Sequence, residues 1–149
     1  MSETCFDRAI ATAKARDEHL ARTGKPVGPL HGLPISLKDN FNIRGLDATV
    51  GFASHVGDPA AQDSTLLEVL EAAGAVPYVK TNVPTAMMIA ETVNNVFGRT
   101  LNPRNRKTTS GGSSGGESAL IVMKGSPLGV GSDIGMLCLM ICFLEIIHC

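Results

Sequence analysis

Three stretches of this chain carry residue types that could do chemistry. Lys38 closes a short apolar run at residues 35–37, residues 111–116 read Gly-Gly-Ser-Ser-Gly-Gly, and residues 131–135 read Gly-Ser-Asp-Ile-Gly. A glycine-rich loop that opens a helix can cradle an anion on its backbone N–H groups. This one lacks the Gly-Lys-Ser/Thr of a phosphate-binding loop and follows no obvious strand. Arg99, Arg104, Arg106 and Lys107 stand close by and would suit a phosphate or a nucleic acid. Spread along a loop, such residues are more often a solvated edge, just as a single lysine is most often a surface residue. Cys138, Cys142 and His148 are spaced so that they could ligate a metal, but they fall in and just after the apolar run 136–143, which has no turn residues to wrap an ion. Reduced, buried-type thiols are the preferred reading, and no metal site is expected.

The elements that would position these groups follow from periodicity and punctuation. A helix is expected from a cap at Thr4, with Asp7 three residues on, through the alanine-rich stretch 9–21 to a stop at Gly24. Its apolar marks, Phe6, Ile10, Ala13 and Leu20, make only a loose stripe. Residues 35–37 read as a strand that delivers Lys38, Asp39 and Asn40 to its end. The clearest helix runs over 64–73, capped by Asp63, closed by Gly74 and burying Leu66, Leu67 and Leu70. A buried strand follows at 75–79 and leads to Lys80, and a second helix fits 86–91. Residues 98–116 are almost all loop formers, 117–124 reads as an apolar helix, and 128–130 as a last strand. Strands alternating with helices predict an α/β fold with a largely parallel sheet.

Length and composition narrow the partners. At 149 residues the chain can form one domain with a core, and its formal net charge of -1 gives no sign of a nucleic-acid partner. No secretory leader is visible in the first residues, and the C-terminal apolar run reaches Glu145 after about ten residues, short of the ~20 that span a bilayer. A cytoplasmic location without a transmembrane segment is therefore expected. Composition breaks at Met136: before it glycine, polar and charged residues are mixed, and the run from 136 to 143 has no polar side chain except thiols. Residues 1–135 are expected to form the domain, with 136–149 an apolar tail of different character, as a misread exon boundary or a frameshift would leave.

Taken together and in this order, the three stretches resemble the amidase signature family, whose members carry a lysine, a Gly-Gly-Ser-Ser-Gly-Gly loop and a Gly-Thr/Ser-Asp-Ile/Thr-Gly-Gly-Ser segment. The resemblance extends through Gly-Leu-Pro-Ile-Ser-Leu-Lys-Asp-Asn at 32–40, Lys-Thr-Asn-Val-Pro at 80–84, Asn-Asn-Val-Phe-Gly-Arg-Thr-Leu-Asn-Pro at 94–103 and Ser-Pro-Leu-Gly at 126–129. The wording is nearest to fungal acetamidase-like and fatty acid amide hydrolase-like members. It implies a fragment of the amidase signature fold, a largely parallel mixed sheet covered by helices, and hydrolysis of a small-molecule carboxamide through an acyl-enzyme on serine, with no cofactor. By this resemblance Lys38 is the unprotonated base, a role that burial favours by disfavouring the charged amine. Ser113 relays the proton, behind a cis Gly112–Ser113 bond. Ser114 supports the relay, Ile134 and Gly135 offer backbone N–H groups to the oxyanion, and Met87 lines the substrate channel.

One departure matters for activity. The family pattern places glycine at position 136 and the nucleophilic serine at 137, where this chain has Met136 and Leu137. Leucine cannot attack a carbonyl, and Cys138 is offset by one residue from Ser113. Hydrolysis by a Ser-Ser-Lys mechanism is thus implied for the family and not for this chain. Two alternatives accompany it: a non-catalytic pseudoenzyme or interaction fragment, and the glutaminase subunit of a tRNA-dependent amidotransferase, which shares the same three motifs.

Overall fold

The structure, a computed structural model, describes residues 1–133. Its centre is a four-stranded sheet in the order β1 (Glu3–Thr4), β3 (Val76–Thr81), β2 (Pro34–Lys38) and β6 (Gly129–Val130). The β2–β3 and β2–β6 pairs are parallel and β1 runs antiparallel to β3, so the sheet is mixed and largely parallel as expected. A hairpin of β4 (Val93–Asn94) and β5 (Gly98–Arg99) stands apart from it.

Alternation along β2 decides which face holds what. Ile35 and Leu37 point to one side and join Leu67, Ile43 and Ala75 in the buried core. Ser36 and Lys38 point to the other. On β3 the register slips between Ile35/Ser36, so that Ile35 pairs with Pro77 and Ser36 with Val79. Pro77 has no N–H to give a ladder, and a bulge at this point accommodates it. Beyond the slip, Lys38 stands opposite Thr81, and these two share the polar face.

Helix α1 (Phe6–Thr23) and helix α2 (Thr65–Ala72) lie together, tied by Arg8, which donates to both carboxylate oxygens of Asp63 and to Glu71. Helix α3 (Gly115–Val122) packs against β2, β3 and β6 and carries Glu117 to the polar face of the sheet. Gly116 permits the approach of α3: a Cβ there would meet the Asn82 backbone nitrogen at 2.5 Å.

Several expectations are corrected. Thr4 does not cap α1; it pairs with Val79 in β1, and the helix follows Cys5. The small Ala9 is the buried residue of α1, while Phe6, Ile10 and Leu20 are exposed. Asp63 does not cap α2, because its carboxylate is taken by Arg8 and the Arg44 N–H, and Leu66 faces outward while Leu67 is buried. The helix expected over 86–91 is a single 3-10 turn at Thr85–Met87, with Ala86 and Met87 both at φ 57°. Positive φ at two consecutive non-glycine residues is incompatible with an α-helix. Gly24 does end α1 in the left-handed region, at φ 67°.

Candidate functional site

Lys38 is the last residue of β2, and its whole side chain is buried. Its Nζ donates to Ser113 Oγ at 2.6 Å and to the Ser132 carbonyl at 2.6 Å. Ser114 Oγ donates to the same carbonyl at 3.2 Å, and Ser132 Oγ reaches Asn40 Oδ1 at 3.4 Å. The three motifs, 94 residues apart at the extremes from Lys38 to Ser132, therefore meet at one point. The Gly112–Ser113 peptide is cis.

The loop that presents Ser113 is stitched at both ends by Thr92. Its Oγ1 donates to the Gly111 carbonyl at 2.9 Å and accepts from the Gly115 N–H at 3.0 Å. Below the loop, Glu117 lies buried in the first turn of α3. Its Oε2 accepts from Ser36 Oγ at 2.5 Å and its Oε1 from Thr81 Oγ1 at 2.7 Å. Burial pushes the Glu117 carboxyl up to about 7, against the pull of both hydroxyls and of the Lys38 charge.

A second buried cluster holds the residues just after Lys38. Asp39 accepts from Ser2 Oγ at 2.7 Å and from the Val50 N–H at 2.8 Å, with Lys80 Nζ 3.9 Å away. Lys80 Nζ donates to the Asp47 carbonyl at 2.5 Å. Burial lowers the Lys80 pKa from the ordinary lysine range, and the neighbouring Asp39 charge opposes that shift. This cluster anchors residues 39–50 on the side of the sheet away from Ser113.

Of the residues expected at the site, Lys38, Ser113 and Ser114 are brought together. Met87 sits on the turn after β3, half-buried, its N–H bonded to the Pro84 carbonyl, outside the Lys38 hydrogen-bond group. Ile134, Gly135 and Leu137 lie outside the described residues, as do Met136, Cys138, Cys142 and His148. Glu117, Ser36, Thr81 and Thr92 were not anticipated. A signal for Glu117 existed: it is the single charged residue in the otherwise apolar or small-residue stretch 115–123. A surface depression lined by Asn42, His55, Asp58 and Ala60 shares no residue with this group.

A buried lysine hydrogen-bonded to a serine beside a glycine-rich loop, on a mixed sheet of this order, defines a serine–lysine site on an α/β frame. The Amidase family pattern matches residues 1–136, and the chain belongs to that family. A relative from Curvularia clavata is 58% identical over 135 residues, covering 91% of this chain and 25% of its own length. The acetamidase of Emericella nidulans is 51% identical over 129 residues, 87% of this chain and 24% of the acetamidase. Among solved structures, fatty acid amide hydrolase superposes with a TM-score of 0.84 at 41% identity, covering 89% of this chain and 23% of that one. The chain thus spans about a quarter of the length of the relatives it matches, and its fold is a fragment of theirs. Among the described residues no helix is long and apolar enough to cross a membrane.

Proposed function

We propose that residues 1–135 are the base-and-relay segment of an amide hydrolase and that this chain, with Leu137 at the nucleophile position, is non-catalytic by itself. The observation that carries the reading is the 2.6 Å contact between Lys38 Nζ and Ser113 Oγ inside a buried site. A neutral amine has two N–H groups and one lone pair, and a hydroxyl both donates and accepts. Ser113 can therefore pass its proton to Lys38 while taking one from a serine that attacks a carboxamide carbon, and return it to the leaving amine as the C–N bond breaks. Ser114 supports this by holding the Ser132 carbonyl, the second acceptor of Lys38. Ile134 and Gly135 are assigned to the oxyanion, and Met87 to the channel wall, by family resemblance alone. The substrate class is a small carboxamide, as the name of the Emericella relative suggests.

The non-catalytic half rests on the composition break at Met136 and on Leu137. The pair itself is tested by grafting residues 1–133 of this chain into the Emericella nidulans acetamidase in place of its matching segment. The host then supplies everything beyond the graft. The graft should turn over acetamide, and Lys38→Ala and Ser113→Ala should each lower its kcat by about 10²–10⁴-fold. A Lys38→Ala graft with near-parental turnover would make Lys38 a structural residue and overturn the proposal.

A further inference from the structure

Glu117 is a buried carboxyl that the proton relay does not use. It is 4% exposed and lies two residues into α3, whose N-terminal side is the Ser113–Ser114 loop. Both of its oxygens are engaged, one by Ser36 on β2 and the other by Thr81 on β3. Ser36 lies two residues before Lys38 on the same face of β2, and Thr81 is the residue paired with Lys38. Glu117 thus grips both strands around Lys38, at the two sites nearest to it on that face. Gly129 of β6 completes the cradle, since a Cβ there would collide with Glu117 Oε2. Charge placed here is disfavoured by burial, yet the fold builds three strands around it.

We propose that Glu117 is a positioning residue for the Lys38–Ser113 pair: by bridging Ser36 and Thr81 it fixes α3, and with it the loop that ends at Ser114, at the height where Ser113 Oγ meets the Lys38 amine. This rests on the reading of Lys38 and Ser113 as a functional pair but makes a claim of its own about what holds them. The bridge works in either protonation state, because the two hydroxyls can donate to a carboxylate, and a neutral carboxyl can donate to one of them in turn. Among the described residues, the Lys38 amine and the chain's N-terminal amine are charged groups that pull the Glu117 pKa down.

The test reads the accessibility of Lys38 in the full 149-residue chain by pulse labelling with acetic anhydride and residue-resolved mass spectrometry. Lys80 is the internal control. It is as buried as Lys38 and sits on the neighbouring strand, but points to the opposite face and is held by Asp47 and Asp39. With Glu117→Ala, Lys38 labelling should rise by about tenfold or more while Lys80 labelling holds at the parental rate, since two hydrogen bonds of ordinary worth are lost on one face alone. Glu117→Gln, which keeps an acceptor and a donor at the bridge, should return Lys38 to the parental rate. A parallel rise at Lys38 and Lys80 would mean general destabilisation, and no rise at either would mean no tie. Both results overturn the proposal, as does a Glu117→Gln variant that behaves like alanine. Should Glu117→Ala fail to fold, the Ser36→Ala/Thr81→Val double variant must show the same Lys38-selective rise, and its absence is equally fatal. None of these readouts involves hydrolysis, so failure here is separable from failure of the grafted enzyme.

Discussion

The Glu117 carboxyl makes the site's burial measurable. Its pKa stands at about 7 in the folded chain against an ordinary value of 4.5, so between those values the folded state binds more protons than the unfolded one. Stability should therefore fall as pH rises from about 4.5 to about 7 and stay low above it. Glutamine at 117 cannot ionise and should flatten that part of the curve. Urea melts of both forms at pH 5 and pH 8 should show the Glu117→Gln form gaining on the parent by up to about 3 kcal/mol at the higher pH. An unchanged gap would mean that the carboxyl is hydrated in solution. At this scale the sequence was uneven in what it disclosed. Lys38 and Ser113 could be picked out because they sit in motifs with a known resemblance. Glu117 could not be assigned a role, because its partners, Ser36 and Thr81, are 81 and 36 residues away and an acidic residue in a first helical turn has an ordinary explanation in the helix dipole.

Among the elements, α3 does the most to shape the site, and it does so through small residues. Gly116 lets the helix lie against the Asn82 backbone at the end of β3. Gly116→Ala should push α3 off the sheet and cost about 1–3 kcal/mol, the usual range for overpacking. A lower urea midpoint at constant slope would bear this out, and an unchanged midpoint would show that the helix can shift without loss. The strands β2 and β3 were legible from their apolar runs and helix α2 from its leucines and the Gly74 that follows it, since these signals are local. The N-terminal strand β1 and the β4–β5 hairpin were not, because each is two residues long and owes its existence to a partner rather than to its own pattern. The turn at Thr85–Met87 was misread as a helix for the same reason. Its conformation is set across the fold, where the Ala86 N–H bonds the Val50 carbonyl at 3.0 Å, and Val50 itself has φ 49°.

For the whole molecule the central point is convergence: Ser113 and Ser132, 75 and 94 residues further along the chain, both meet Lys38, and the proposed reading puts Leu137 at the nucleophile's position. The 149-residue chain should show no hydrolysis of a simple aryl amide above the buffer blank. On the proposed reading, Leu137→Ser by itself should leave it silent, because Met136 remains where the resemblance implies a glycine for backbone approach to the oxyanion. Turnover by either form would break the account of the tail. The mixed sheet and the family could be read from the sequence, because ordered motifs over most of the chain constrain the fold jointly. Which β3 residue shares the face of Lys38 could not, since that depends on the register slip at Ile35/Ser36. The most direct test of Lys38 and Ser113 as one proton-transfer unit is the Lys38→Ala/Ser113→Ala double variant in the acetamidase graft. Groups that act as a unit lose their effect together, so the double variant should have a kcat within about threefold of the worse single variant. Losses that multiply would show two independent contributions and contradict the relay.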